Sequence, residues 1–254
     1  MDTFVNLKQT SMQEWFEDWF DSPYYHILYK QRSEDEASEF VEKLVTYFDL
    51  TSPTTLLDLA CGKGRHSLAF AKHGLDVTGV DLSKNSIEYA SQFENDHLHF
   101  YVHDMRRTFR SNYYDIVCNL FTSFGYFKTK HDNSLAAKSM FDAVKKNGHV
   151  LIDFVNRNFA IQNIEAKREE IVQHDQIKFV IKRHYTESRL IKEIAIYDDT
   201  KELHFEESLS SFTLTEMKDL FESVGFTHSK SFGNYQLDDY NETSSPRMIL
   251  IFTK

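Results

Sequence analysis

Apolar and polar residues form alternating strand-like and helix-like blocks through the middle of the chain, from Thr54 to Val155. Short apolar runs typical of buried strands are separated by segments in which apolar residues recur with helical spacing. Strand and helix in regular alternation predict a doubly wound parallel sheet with helices on both faces and right-handed crossovers. The predicted strands are 56–58, 76–80, 97–102, 114–120 and 149–155, and the predicted helices are 67–73, 83–93 and 135–146.

The pattern changes after Phe154. Residues 178–185, 189–197 and 201–209 alternate with period two, which predicts an inserted antiparallel β-meander. A capping-box pattern at Thr213 predicts a helix that ends near Gly225. The remaining predicted elements are strands at 229–235 and 248–252, and aromatic-rich helices in residues 1–50.

Composition excludes several classes of protein. The chain has 254 residues, a formal net charge of −10 and only two cysteines, Cys61 and Cys118. This balance disfavours nucleic acid as a partner, because binding phosphates needs a basic face. Two cysteines favour neither a disulfide framework nor a structural zinc site, and no metal site is predicted. Without a membrane-length apolar run or a signal-peptide pattern, we expect a cytoplasmic protein.

The most informative segment is the turn from Asp58 to Gly64, which follows the first strand. Glycines there let the backbone approach a ligand closely, and the next helix presents free N–H groups. Asp81 ends the second strand about 20 residues later, where a carboxylate can bind both ribose hydroxyls. The segment therefore predicts a site for an adenosine-containing ligand.

Two features separate this turn from a dinucleotide site. Ser67 stands where the third glycine of such a site would be, and Asp58 would repel a pyrophosphate. S-adenosylmethionine instead carries an ammonium group and a sulfonium, which an acid suits. A nicotinamide-dependent oxidoreductase is the alternative that these two residues disfavour.

Residues 56–104 resemble the class I S-adenosylmethionine-dependent methyltransferases. Residues 57–64 are similar to the first motif of that family, 79–83 to the second, 103–106 to the third and 115–119 to the fourth. The resemblance implies a seven-stranded, mostly parallel sheet whose last strand is antiparallel. It also implies that the turn lines the methionine part, Asp81 the ribose, and Leu82, Asp104 and Met105 the adenine.

On this resemblance we expect one methyltransferase domain over residues 1–254. Its parts are an N-terminal helical cap (1–50), a cofactor-binding core (54–155), a β-meander insertion or lid (168–210) and a C-terminal completion of the sheet (211–254). The residues expected to bind the cofactor are Tyr25, Tyr29, Arg32, Asp58, Ala60, Cys61, Gly62, Gly64, Asp81, Leu82, Ser83, Asp104, Met105 and Asn119.

Tyr25, Tyr29 and Arg32 share one face of a predicted helix. That face suits the sulfonium and the carboxylate of the cofactor, although the tyrosines equally fit a core position.

The loop after the fourth strand, residues 119–127, is the expected acceptor site, because ligands bind at the carboxyl ends of parallel strands. Phe121, Phe124 and Tyr126 would give a dry wall for an apolar or planar acceptor, or would pack beneath the meander. His26, Tyr126 and His184 are conceivable general bases, and nothing selects among them.

The leading hypothesis is methyl transfer to a small-molecule acceptor. Besides the oxidoreductase, a non-catalytic protein that binds S-adenosylmethionine on the same fold remains the alternative. The sequence leaves the acceptor, the catalytic residue and the oligomeric state open.

Overall fold

A computed structural model describes residues 15–30 and 33–254. The β-strands are β1 (Thr55–Leu59), β2 (Asp76–Asp81), β3 (Leu98–Val102), β4 (Tyr114–Asn119), β5 (Val144–Val155), β6 (Glu169–His174), β7 (Ile177–Tyr185), β8 (Arg189–Asp198), β9 (Lys201–Ser210), β10 (Thr227–Phe232) and β11 (Arg247–Thr253). The α-helices are α1 (Trp15–Phe20), α2 (Pro23–Leu28), α3 (Glu34–Tyr47), α4 (Arg65–Lys72), α5 (Lys84–Ala90), α6 (Lys130–Ala143), α7 (Arg157–Ala166) and α8 (Leu214–Ser223).

Seven strands form one sheet in the order β10-β11-β5-β4-β1-β2-β3. The neighbours β5, β4, β1, β2 and β3 pair in parallel, and only β11 runs antiparallel to the strands beside it. The seven-stranded sheet with its antiparallel last strand is therefore confirmed. The carboxyl ends of β1, β2 and β4 meet at one edge, and this edge positions the site.

Strands β1, β4 and β11, inside this sheet, are buried along nearly their whole length, because helices cover both of their faces. One buried cluster packs β1, β4, β5 and β11 against α6 and α8, and another packs the opposite face against α3 and α4. Leu56 and Leu57, which are neighbours on β1, belong to different clusters. Successive side chains of one strand thus reach both faces of the sheet.

The meander is a separate four-stranded antiparallel sheet in the order β6-β7-β8-β9. Its three long strands agree with the predicted alternation, and β6 is a further strand that was not predicted. β6 is an edge strand that pairs only with β7, and its Ile171 is 65% exposed. A strand with so little burial carries a weak period-two signal.

Helix α6 begins at Lys130, five residues before the predicted Leu135. Thr129 caps it by accepting a hydrogen bond from the Asp132 backbone N–H at 3.0 Å. The helix ends at Ala143, and β5 already begins at Val144. The prediction was wrong at both ends, because the first turn is polar and an Asn-Gly pair inside the strand suggested a helix terminus. Helix α7, which was not predicted, is capped by the Asn156 side chain.

Helices α1 and α2 pack against the meander. Trp19 of α1 is fully buried, and its ring centroid lies 4.7 Å from that of Phe205 on β9. Trp19 and the buried residues of β7 and β8 form one apolar cluster, against which the tyrosines of α2 pack. The predicted aromatic helices are therefore present in the described part of residues 1–50, whereas the prediction for residues 1–14 lies outside it.

Candidate functional site

The glycine turn after β1 is held open by hydrogen bonds to the end of β2. The backbone N–H groups of Ala60 and Cys61 both donate to the Val80 carbonyl, at 2.7 and 3.0 Å. Ala60 and Gly62 have φ values of 65° and 55°, in the left-handed region. The turn therefore curls back over the sheet edge and leaves its inner side facing a cavity.

Asp81 joins this turn to the start of α5. One carboxylate oxygen accepts from the Gly62 N–H and the other from the Ser83 N–H, both at 2.8 Å. Burial raises the pKa of Asp81, and these N–H groups oppose the shift. Each oxygen retains a lone pair for a further donor, which is what a ribose diol requires.

Asp58 is 1% exposed and accepts a hydrogen bond from the Ser67 hydroxyl at 2.6 Å. Burial raises the pKa of Asp58 to about 6, although the Ser67 hydrogen bond and the charge of Arg65 lower it. A buried carboxylate with one neutral partner stabilises a cation placed beside it. Ser67, which replaces the third glycine of a dinucleotide site, therefore acts here as the partner of Asp58.

Asp104 follows β3 and is held by a bidentate contact with Arg106, whose nitrogens lie 2.7 to 3.1 Å from the two carboxylate oxygens. Burial works to raise the pKa of Asp104, but the hydrogen bonds and charge of Arg106 outweigh it and lower the pKa. Asp104 is thus an ionised, oriented acceptor at the cavity and not a freely solvated turn residue.

These groups line a cavity of about 310 Å³ at the carboxyl edge of the sheet. Many of the predicted residues are brought together in its wall, namely Tyr25, Tyr29, Asp58, Ala60, Cys61, Gly62, Asp81, Leu82, Ser83, Asp104, Met105, Phe121 and Tyr126. The volume is in the range of small-molecule and cofactor sites.

Three predicted residues, Gly64, Asn119 and Phe124, are not part of the cavity wall. Phe124 is fully buried. The loop after β4 directs its ring into the core, where it packs on Phe212 and Phe221. Asn119 is also fully buried, and it donates to the Leu59 carbonyl at 2.8 Å.

Gly64 lets the Phe100 ring pack directly against the backbone of the turn. A Cβ at Gly64 would lie 2.7 Å from the Phe100 ring, and its φ of 82° is in the left-handed region. Arg32, the remaining predicted residue, lies outside the described residues.

Several lining residues were missed. Thr122, Ser123 and Phe127 lie within the predicted acceptor loop but were not among its predicted site residues, and Phe16 and Phe20 come from α1. Glu207 reaches the cavity from β9 of the meander. No local signal identifies Glu207, because it is one of two consecutive acids in an alternating strand.

Of the three conceivable bases, His26 and Tyr126 line the cavity. His184 does not, and its side chain on β7 is 46% exposed, with Nδ1 4.0 Å from Glu193. Arg65 and His66, which follow the glycine turn, also line the cavity, as does His103 at the end of β3.

An open α/β sheet with a glycine turn, carboxylates at strand ends and a cavity over that edge is the arrangement in which α/β proteins bind nucleotide-like ligands. Residues 56–148 match the family model described as a methyltransferase domain.

Individual relatives agree with the family match. The methyltransferase-named protein YqeM of Bacillus subtilis (strain 168) is 34% identical over 128 residues, which are 49% of this chain and 51% of that protein. The dTDP-3-amino-3,4,6-trideoxy-alpha-D-glucopyranose N,N-dimethyltransferase of Streptomyces venezuelae is 28% identical over 51% of this chain and 54% of its own length. The chain thus spans about half the length of these curated relatives.

Solved structures share the whole fold. A crystal structure of an S-adenosylmethionine-dependent methyltransferase from Clostridium acetobutylicum ATCC 824 has a TM-score of 0.75 at 14% identity and covers 91% of this chain and 95% of that one. Residues 56–148 thus match a methyltransferase domain, and the chain shares the fold of that solved S-adenosylmethionine-dependent methyltransferase.

Proposed function

We propose that this protein transfers a methyl group from S-adenosylmethionine to a small-molecule acceptor. The observation that carries the proposal is the juxtaposition of Asp58, Asp81 and Asp104 around one cavity beside the glycine turn. We assign Asp58 to the ammonium group of the cofactor, Asp81 to the ribose hydroxyls and Asp104 to the adenine amino group. The remaining cavity wall, formed by the loop after β4, α1, α2 and β9, is left for the acceptor.

A small acceptor fits the way this cavity is covered. Helix α2 lies over it and is held to the meander, since the Tyr24 and Tyr29 hydroxyls donate to Asp198 and Glu207 at 2.7 Å. We therefore assign α1, α2 and the meander to a lid over the acceptor. The related amino-sugar enzyme by its name acts on a nucleotide sugar, which also supports a small molecule.

Bound S-adenosylmethionine supplies an electrophilic methyl carbon and a sulfur leaving group, so the protein need supply neither. The residues of this chain orient the acceptor and exclude water, and the phenylalanines and tyrosines of the cover provide the dry surroundings. No helix in residues 15–30 or 33–254 has the length and hydropathy to cross a bilayer. We place the reaction in the cytoplasm.

Calorimetric titration with S-adenosylhomocysteine tests the cofactor site. We expect binding by the wild type and at least a tenfold loss of affinity in Asp81→Asn, because the diol loses an ionised acceptor. Asp76→Asn, at the opposite end of the same strand, is the matched control and should bind like the wild type. Absence of wild-type binding would refute the proposal.

Production of S-adenosylhomocysteine from S-adenosylmethionine across a panel of small acceptors tests turnover. A protein that binds the cofactor and turns over no acceptor would favour the non-catalytic alternative.

A further inference from the structure

Glu207 is the one acid among the described lining residues to which no cofactor group has been assigned. Its side chain is 13% exposed, and Oε1 accepts hydrogen bonds from Trp19 Nε1 at 2.8 Å and from the Tyr29 hydroxyl at 2.7 Å. Oε2 lies 3.6 Å from Lys192 Nζ, beyond hydrogen-bond distance, and no described residue donates a hydrogen bond to it. Lys192 forms an ion pair with this oxygen at that distance, and Oε2 keeps the capacity to accept a hydrogen bond from a ligand.

The neighbours of Glu207 hold it in this position. Lys192 Nζ lies 4.4 Å from the centroid of the Tyr29 ring, contacts the Tyr29 hydroxyl, and is not part of the cavity wall. Tyr29 in turn donates to Glu207. Two neutral donors and the Lys192 ammonium group therefore fix the carboxylate of Glu207, which is part of the cavity wall.

Aromatic rings surround the same part of the cavity. Phe20 packs edge-on against Tyr25 and Tyr126, with interplanar angles of 85° and 79° and centroids 5.0 and 5.1 Å apart. The rings of Tyr25 and Tyr29 make an interplanar angle of 60°. All four rings are part of the cavity wall. The π face of an aromatic ring stabilises a cation placed over it.

The other acids of the cavity wall belong to the opposite side. Asp58, Asp81 and Asp104 stand at or just beyond the carboxyl ends of β1, β2 and β3, whereas Glu207 comes from the meander. Among the described lining residues, Glu207 is the acid on the acceptor side. Aromatic rings beside a carboxylate are complementary to an amine or ammonium group.

We propose that the methyl acceptor is an aliphatic amine and that Glu207 is the residue that selects it. This inference rests on the proposed function. The lone pair of the neutral amine nitrogen attacks the methyl carbon as the carbon–sulfur bond breaks, and the sulfur keeps that electron pair as a neutral thioether. The positive charge passes to the nitrogen of the methylated ammonium product, which then loses a proton to solvent. Oε2 of Glu207 and the four rings stabilise the charge on that nitrogen.

Binding of benzyltrimethylammonium tests the proposal without turnover. Calorimetry on the full chain saturated with S-adenosylhomocysteine should show binding at least tenfold tighter than that of benzyl alcohol. Glu207→Gln should weaken benzyltrimethylammonium binding at least tenfold. It keeps an oxygen for Trp19 and Tyr29, so the fold is retained, and its thermal midpoint is measured alongside. Glu206→Gln, on the exposed face of the same strand, is the matched control.

Equal binding of the cation and the alcohol, or unchanged cation binding in Glu207→Gln, would overturn the proposal.

Turnover gives a second, independent readout. Benzylamine should yield S-adenosylhomocysteine and methylated benzylamine faster than phenol or benzoate yields methylated product. If the protein binds S-adenosylhomocysteine but methylates only phenols or carboxylates, the amine assignment fails while the proposed methyltransferase function stands. Failure to bind S-adenosylhomocysteine would refute both the amine assignment and the proposed methyltransferase function.

Discussion

At the scale of single residues, the burial of Asp58 has a consequence for cofactor binding. Its pKa is raised to about 6, so the carboxyl group is protonated in the free protein below that pH. The ammonium group of the cofactor favours the ionised carboxylate. Binding and protonation of Asp58 therefore compete.

We expect the affinity for S-adenosylhomocysteine to be constant above about pH 7 and to fall roughly tenfold per unit below pH 6. Titrations between pH 5 and 8 check this. In Asp58→Asn the affinity should be lower and this pH dependence should disappear, and an unchanged profile in that variant would contradict the assignment. The raised pKa of Asp58 affects folding stability in the opposite direction. Protonation of Asp58 increases the free energy of unfolding of the free protein at low pH, and this contribution is lost as the pH rises through 6.

Gly64 is a second residue with a measurable role. We expect Gly64→Ala to lower the free energy of unfolding by about 2 to 4 kcal/mol, because the new Cβ meets the Phe100 ring in addition to adopting a left-handed conformation. Gly74→Ala is the matched control, since Gly74 has a φ of 80° with nothing within 4 Å of its Cβ position. It should cost about 1 kcal/mol. Equal losses in urea denaturation would show that the contact with Phe100 is unimportant.

At the scale of elements, the loop after β4 is held in an unusual conformation. Phe121 and Thr122, two consecutive non-glycine residues, have φ values of 59° and 57°. The buried carboxylate of Asp153 accepts from the Phe121 N–H at 2.8 Å, and Arg247 bonds both Asp153 and the Thr122 hydroxyl at 2.8 Å. Strained residues persist where their surroundings enforce them, and here β5 and β11 do so through this ion pair.

Arg247→Met should lower the free energy of unfolding by about 3 to 5 kcal/mol, because it leaves the Asp153 carboxylate buried without a cation. The double variant Asp153→Asn/Arg247→Met should lose less than the sum of the single losses, by at least about 1 kcal/mol. Lys145→Met breaks the half-exposed pair with Asp115 and should cost below about 1 kcal/mol. Additive losses at positions 153 and 247 would argue against a coupled pair.

Elements in which apolar residues recur with a clear period, or form a continuous run, were predictable from the sequence. Elements without such a pattern were not. β2 and β8 were predicted within one residue, because their burial alternates or is continuous. β6 and the first turn of α6 consist mostly of polar residues, and tertiary contacts rather than local pattern decide them. The positions of β10 and β11 at the edge of the large sheet likewise depend on pairing across the chain.

At the scale of the whole molecule, the N-terminal segment connects the two sheets. Asp21 accepts a hydrogen bond from the Ser83 hydroxyl at 2.5 Å, and its other oxygen accepts one from the Asn85 amide at 2.8 Å. On the other side, Trp19 and Tyr24 bond to residues of the meander. Ser83 also donates its backbone N–H to Asp81, so the segment is fastened next to the predicted ribose acceptor.

Asp21→Ala should increase amide hydrogen exchange in residues 15–30 by about tenfold, because it removes the contacts on the α5 side and local opening becomes easier. Tyr24→Phe removes a single bond on the meander side and should have a smaller effect. Mass spectrometry of exchanged peptides measures both. Unchanged exchange in Asp21→Ala would show that the segment is held by its apolar contacts alone.

The sequence by itself determined the order of strands and helices in the core, the glycine turn and the acids at the strand ends. These features are local, because a turn or strand end is specified by residues close together in the chain. Only the tertiary structure decided which side chains line the cavity. Phe124 turned into the core, and Glu207 arrived from a strand more than 100 residues after the turn. That outcome depends on how the meander and α1 pack over the sheet, and such packing is set by long-range apolar burial.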